Sequence, residues 1–259
     1  MKLFAKPSTA ILGSLSAIVA VFCFSTNDVA IKFISKDYAL HLVVLIRSLV
    51  GLIVLFLFIV PLSGGVKVLY TNRLGLHLLR GFCVVFANIT FFLGLAALPL
   101  AEGVAIFFIS PLLITIFSVI FLKEIVGPRR WAAVTIGLIG VLVILRPGSA
   151  TFQTASLLPL SAAFGYATLH MLTRYIGKTE SAASMSFYIQ LTFLVVCLTL
   201  GLTIGDGKFS GWNDPSLEFL FRAWSWPNND HYLILILIGT TSAFGGFFIS
   251  QAYRISEAA

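Results

Sequence analysis

The chain has 259 residues, 59% of them hydrophobic and 10% charged, with a net charge of +7. A soluble domain is about half apolar and about a quarter charged. Too few charges remain here to cover a water-facing surface, which excludes a water-soluble globular protein and points to a bilayer. The basic excess does not imply a nucleic-acid partner, because the 17 lysines and arginines sit largely in short joints between apolar runs, where such residues orient a membrane protein.

A spanning helix needs about 20 mostly apolar residues. Eight runs qualify, in chain order 10–29, 42–60, 78–98, 103–122, 131–145, 155–172, 183–204 and 232–250. They are continuously apolar and do not alternate, so helices fit and barrel strands do not. The first follows Lys2 and Lys6, a passable start for a signal peptide. It is nevertheless long enough to span and lacks a convincing A-x-A site, so it reads as a retained helix. The fifth is short and is expected to extend at its ends. The joints 61–65, 127–128 and 146–148 carry proline and glycine. Residues 206–230 hold Trp212, Trp224, Trp226 and four acidic residues. They read as an extramembrane loop whose aromatics rest at the lipid interface. Cys23, Cys83 and Cys197 lie inside apolar runs with neither paired nor metal-like spacing, and read as packing residues.

With the N-terminus inside, eleven basic residues fall on inner joints and six on outer ones (Lys32, Lys36, Arg47, Arg146, Lys208 and Arg222). This favours a cytoplasmic N-terminus, with Lys32 and Lys36 opposing it.

An internal repeat is expected. "LSA" at 15–17 recurs at 160–162, and "KFISK" at 32–36 matches "RYIGK" at 174–178. Five spans separate the copies, and an odd number inverts the second half in the membrane. Residues 1–148 then form a first five-helix half and 149–259 a second, incomplete one. "FLGLAALPLAEGV" at 92–104 pairs with "FFISQAYRISEAA" at 247–259, setting Glu102 against Glu257. On this alignment ten spans are expected in full, eight and the start of a ninth are present, and roughly 40 residues are missing.

The residues "NDVAIKF" closing the first span, Arg47 early in the second, and the block "ALPLAEGVAIFFISPLLITIFSVIFLKEIVGPRRWAAVTIGLIGVLVILRPG" at 97–148 resemble the drug/metabolite transporter superfamily, specifically its EamA-type ten-helix members. Lys123 stands where glycine is frequent in that family. The resemblance implies an all-helical inverted-repeat membrane fold. It also implies secondary transport of a small metabolite, amino-acid-like, vitamin-like or nucleotide-like, across the inner membrane by alternating access. It does not imply a particular substrate, a direction or a cofactor.

Polar groups in hydrocarbon are expensive, so each invites a question. Asn27 and Asp28 close the first span; Asp28 either meets a cationic group or a proton, or is an interfacial carboxylate beside Lys32 one turn on. Asn88 lies mid-way along the third span on the face shared by Arg80, Val84 and Phe92. It is a substrate ligand or an interhelical tie, and Arg80 is expected to snorkel to the surface. Tyr166 and His170 stand four apart in the sixth span and can form a cavity wall. Gln190 reads as structural. Ser110 and Pro111 interrupt the fourth helix and can hinge it. The small-residue face of the eighth span, which includes Ser242, Gly245 and Gly246, reads as close helix packing. No metal spacing is present, the four histidines are scattered rather than arranged for an intramembrane enzyme, and no phosphate loop appears. A carrier for a small molecule, monomeric or homodimeric, is the leading reading; a channel or structural membrane protein is the alternative.

Overall fold

The computed structural model describes residues 9–145 and 153–255. Lys2, Lys6, the 146–148 joint and the proposed opening of a further helix at Glu257 lie outside them. The described residues are helical, with no strand. Eight helices are long and apolar enough to cross a membrane: Ile11–Ile34, Leu40–Leu62, Leu74–Ala97, Leu100–Leu122, Pro128–Leu145, Thr154–Ile176, Ala182–Ile204 and Asn229–Ile255. All eight expected runs are found, each helix reaching past its apolar run at one end or both; the short fifth run extends at its N-terminal end, back to Pro128.

The first span packs along its length on the eighth, and the third on the sixth. The second lies against the seventh and eighth, the third also meets the seventh, and the fourth covers the sixth. The fifth sits at the edge, against the fourth. The main core draws on the first three spans, the sixth, the seventh and the eighth, with Ile31, Val43, Leu95, Leu169, Phe193 and Ile238 among its buried members.

Local chemistry explains several irregularities. A proline lacks an N–H and its ring crowds the carbonyl four residues back. Ahead of Pro61 the second span widens into a π-turn over Leu55–Ile59, which relieves that crowding. The fourth span breaks after Phe107 and restarts at Ser110 with Pro111 in its first turn, so the expected interruption is present. That span ends on Lys123, at φ 56°, a left-handed conformation glycine adopts freely and other residues at a cost of about 1 kcal/mol. The lysine in a frequent glycine position therefore keeps the glycine's backbone role.

Two basic residues depart from expectation. Arg80 does not snorkel: it is fully buried, donating from Nε and a terminal nitrogen to Thr173 Oγ1 of the sixth span at 3.1 and 2.9 Å. The third span is packed against the sixth and seventh on that face, so no path to the surface is left. Lys32 does not pair with Asp28. Its ammonium reaches across to the end of the third span and bonds the carbonyls of Leu95, Ala96 and Leu98, acceptors that a helix C-terminus leaves free.

The 206–230 loop also differs from a segment resting on lipid. Asp214 caps a short helix, Pro215–Phe221, with Pro215 in its first turn. The helix is folded onto the bundle. Phe219 is buried in the main core, and Ser216 Oγ donates to Leu93 O at 2.7 Å. Arg222 holds the carbonyl of Ser35 at 3.0 Å. Trp224 packs closely against Gly201 and donates to His41. Only Trp212 and Trp226 keep the exposure expected of interfacial aromatics. At the opposite end His77 meets Glu180 at 3.2 Å, Thr71 donates to the same carboxylate at 2.9 Å, and Arg174 pairs with Glu124 at 2.6 Å.

Candidate functional site

A cavity with about 810 Å³ of space free of protein atoms, counted out to where it opens, lies between the two tight helix pairs. Asn27, Asp28, Asn88, Phe92, Tyr166 and His170, the six residues singled out from sequence, all line it. Ser110 and Pro111 do not; they sit beside it at the break in the fourth span.

Aromatic rings form much of the wall. Phe91 meets Phe107 at a centroid distance of 4.7 Å, Phe107 meets Tyr166 at 5.1 Å, and Tyr166 meets His170 edge-on at 4.1 Å. Tyr253 stacks behind His170 at 4.2 Å. Phe92 and Phe91 are buried here and do not face lipid, whereas Phe86 does.

Arg47 is the functional residue that polarity-by-position missed, having been read as a family mark and an outer-joint charge. It is 3% exposed and reaches the cavity from the second span. One terminal nitrogen donates to Asn88 Oδ1 at 3.0 Å, and the guanidinium lies over the rings of Phe193 at 4.5 Å and Phe92 at 5.6 Å. Asn88 is thus an interhelical tie and a cavity residue at once. Asn27 donates to Ile238 O at 2.7 Å, holding the first span to the eighth. Gln190, read as structural, also lines the cavity, with Ser186, Ser242 and Gly246. Gly245 is packed close to Cys23 and Phe24, so the small-residue face serves helix contact at one residue and the cavity at the next.

The polar atoms of this wall are not all satisfied. Arg47 Nε, Gln190 Oε1 and both ring nitrogens of His170 are buried without a hydrogen-bond partner among the described residues. Each such atom costs about 1–3 kcal/mol. Interhelical ties alone would have paired them. Clustered on one cavity, they form a set of donors and acceptors open to a guest.

An all-helical bundle of membrane spans around a partly polar, aromatic-walled cavity is the architecture of a carrier for small molecules. The comparisons with known proteins agree. Residues 11–146 match the model of the EamA-like transporter family, and the chain belongs to that family. It is 30% identical over 250 residues to a riboflavin transporter of Vibrio cholerae, covering 95% of this chain and 77% of that one. It is 27% identical over 241 residues to an S-adenosylmethionine uptake transporter of Rickettsia prowazekii (93% and 75% covered). A pseudopaline exporter of Pseudomonas aeruginosa is 24% identical over 247 residues (95% and 80%). One crystal structure superposes with a TM-score of 0.66 over 96% of this chain and 79% of its own; at 16% identity it speaks for the fold alone. The protein is a multi-pass membrane transporter of a small metabolite.

Proposed function

We propose that the chain carries a polar metabolite with a flat aromatic ring, of the kind represented by riboflavin and S-adenosylmethionine, through the central cavity by alternating access. The observation that carries this reading is the set of unpartnered polar atoms on Arg47, Gln190 and His170 around an aromatic-walled space. Asn27, Asp28, Asn88, Phe92, Tyr166 and His170 contact the substrate, and Ser110–Pro111 is the hinge.

The halves 1–148 and 149–259 are related as inverted repeats. Exchanging the first span for the sixth and the third for the eighth converts the first–eighth contact into the sixth–third contact, the other tight pair of the bundle. The second–eighth and third–seventh contacts exchange in the same way. The N-terminus faces the cytoplasm, across the inner membrane. Lys32 and Arg47 are engaged inside the protein and leave the outer count, and Arg80 leaves the inner one. The asymmetry becomes ten against four. The described lining residues come from one chain, which supports a monomer, and a homodimer would hold two such cavities.

The test is uptake and efflux of labelled riboflavin and S-adenosylmethionine in proteoliposomes, with and without unlabelled compound on the opposite side. Saturable flux accelerated by the opposite-side compound marks a carrier. Non-saturating flux indifferent to it marks a channel. Absence of flux for every ring-bearing metabolite refutes the reading.

A further inference from the structure

The cavity is lined by one carboxylate and one guanidinium, Asp28 and Arg47, whose charges act on each other across it without a direct ion pair. Asp28 is half-buried in the wall, with no hydrogen bond or ion pair to its carboxylate among the described residues. The lysine one turn away is turned to the carbonyls of the third span. Arg47, on the neighbouring second span, is held in place by Asn88 and by two rings, yet keeps Nε without a partner. Charges buried in a membrane protein are ordinarily paired with one another, because an unpaired one is costly. Two opposite charges that line one cavity without bonding each other are complementary to a guest that is itself dipolar.

We infer that Asp28 and Arg47 are specificity residues for a zwitterionic head group, an ammonium set against Asp28 and a carboxylate against Arg47, attached to an aromatic ring that lies on the Phe107–Tyr166–His170 side. This deepens the carrier reading and rests on it. The substrate class is an amino-acid-bearing aromatic metabolite, and a neutral ring compound is a poor fit because it would leave both charges desolvated and unmatched.

The test is equilibrium binding to the purified, detergent-solubilised full chain. S-adenosylhomocysteine carries the zwitterionic head; methylthioadenosine has the same nucleoside and sulfur without it; riboflavin is a neutral ring. The zwitterion should bind about tenfold or more tighter than methylthioadenosine, the discrimination expected of charge-assisted hydrogen bonds. Asp28→Asn and Arg47→Gln should each reduce that ratio, and the double variant should bring it to about one by loss of zwitterion binding rather than gain of neutral binding. Arg47→Lys, which keeps the charge, should retain part of it. Thermal melting of the unliganded variants separates loss of selectivity from loss of fold, and if Arg47→Gln does not fold, the Asp28→Asn and Arg47→Lys ratios decide. Equal binding of riboflavin or methylthioadenosine by the wild type, or unchanged discrimination in both variants, overturns the inference and leaves the carrier reading standing. Zwitterion binding without flux does the reverse. Binding of none of the three overturns the inference outright.

Discussion

Thr173→Val isolates what holds Arg80 inside the bundle. The threonine hydroxyl donates to Leu169 O at 2.7 Å one turn back, which fixes its hydrogen and turns its lone pairs outward. Arg80 fills them with two N–H groups, at 3.1 and 2.9 Å. Valine keeps the shape and removes the acceptor. The remaining contact of that guanidinium, to Met185 O, is 3.5 Å long and takes over little. A hydrogen bond to a charged group is worth about 1.5–3 kcal/mol. Two bonds sharing one acceptor are not additive, so a loss of about 3 kcal/mol is expected. At about 2–4 °C per kcal/mol for a chain of this size, the midpoint of tryptophan-fluorescence melting in detergent should fall by about 6–12 °C. Thr173→Ser, which keeps the acceptor, should lose much less. A Thr173→Val midpoint within about 2 °C of wild type would refute the account and mean that Arg80 is satisfied by other groups.

Gly239→Ala should destabilise by about 1–3 kcal/mol in the same melt, since the new methyl would lie 2.4 Å from Val50 Cβ and 3.0 Å from the Arg47 carbonyl; Gly140→Ala, where it meets nothing, should not. Lys123→Gly should raise stability by about 1 kcal/mol by relieving the left-handed backbone; a lower midpoint would show that the lysine's own contacts dominate. Lys32→Met strips the cap from the third span, so hydrogen exchange in a peptide covering 92–100 should speed up while the middle of that span stays protected. The Glu218 carboxyl is held below its ordinary value of 4.5, first by the Gly211 N–H and then by the Trp212 N–H and Arg222. A depressed carboxylate stabilises above its unfolded value and loses that contribution as pH falls through the folded one. Trp212 fluorescence should therefore change on acidification below about pH 4.5, and Glu218→Gln should abolish that change.

The spans were legible because a run of about 20 apolar residues has few alternatives in one sequence. The break at Ser110–Pro111 was legible because proline removes a donor wherever it sits. Five of the six candidate residues were picked out because polarity inside a span is itself a signal, and Phe92 because it shares the helix face of Asn88. Arg47 and Gln190 carried the same signal but were not expected on the cavity they line. Lipid and protein interior are equally apolar, so nothing in the chain says which face of the second or seventh span turns inward; only packing against Phe193 and Ser242 decides it. Arg80 was misjudged for a related reason: snorkelling depends on a free path to water, and the sixth span occupies it. The loop helix was written plainly as Asp214–Pro215 followed by Phe219, a cap and an apolar anchor, but tryptophans at a membrane boundary invited the more familiar explanation.

The first–eighth pairing has a consequence in time. Asn27 donates to the backbone of Ile238, 211 residues later in the chain. At about 5–20 residues per second, the first span waits roughly 10–40 seconds in the membrane before its principal partner has been made. Throughout that interval Asn27 lacks its acceptor, and a bare amide in hydrocarbon is costly enough to seek a substitute. The first–eighth contact therefore forms late in synthesis, after the third–sixth pair, and the insertion machinery or a transient partner has to shelter the first helix until the eighth span arrives.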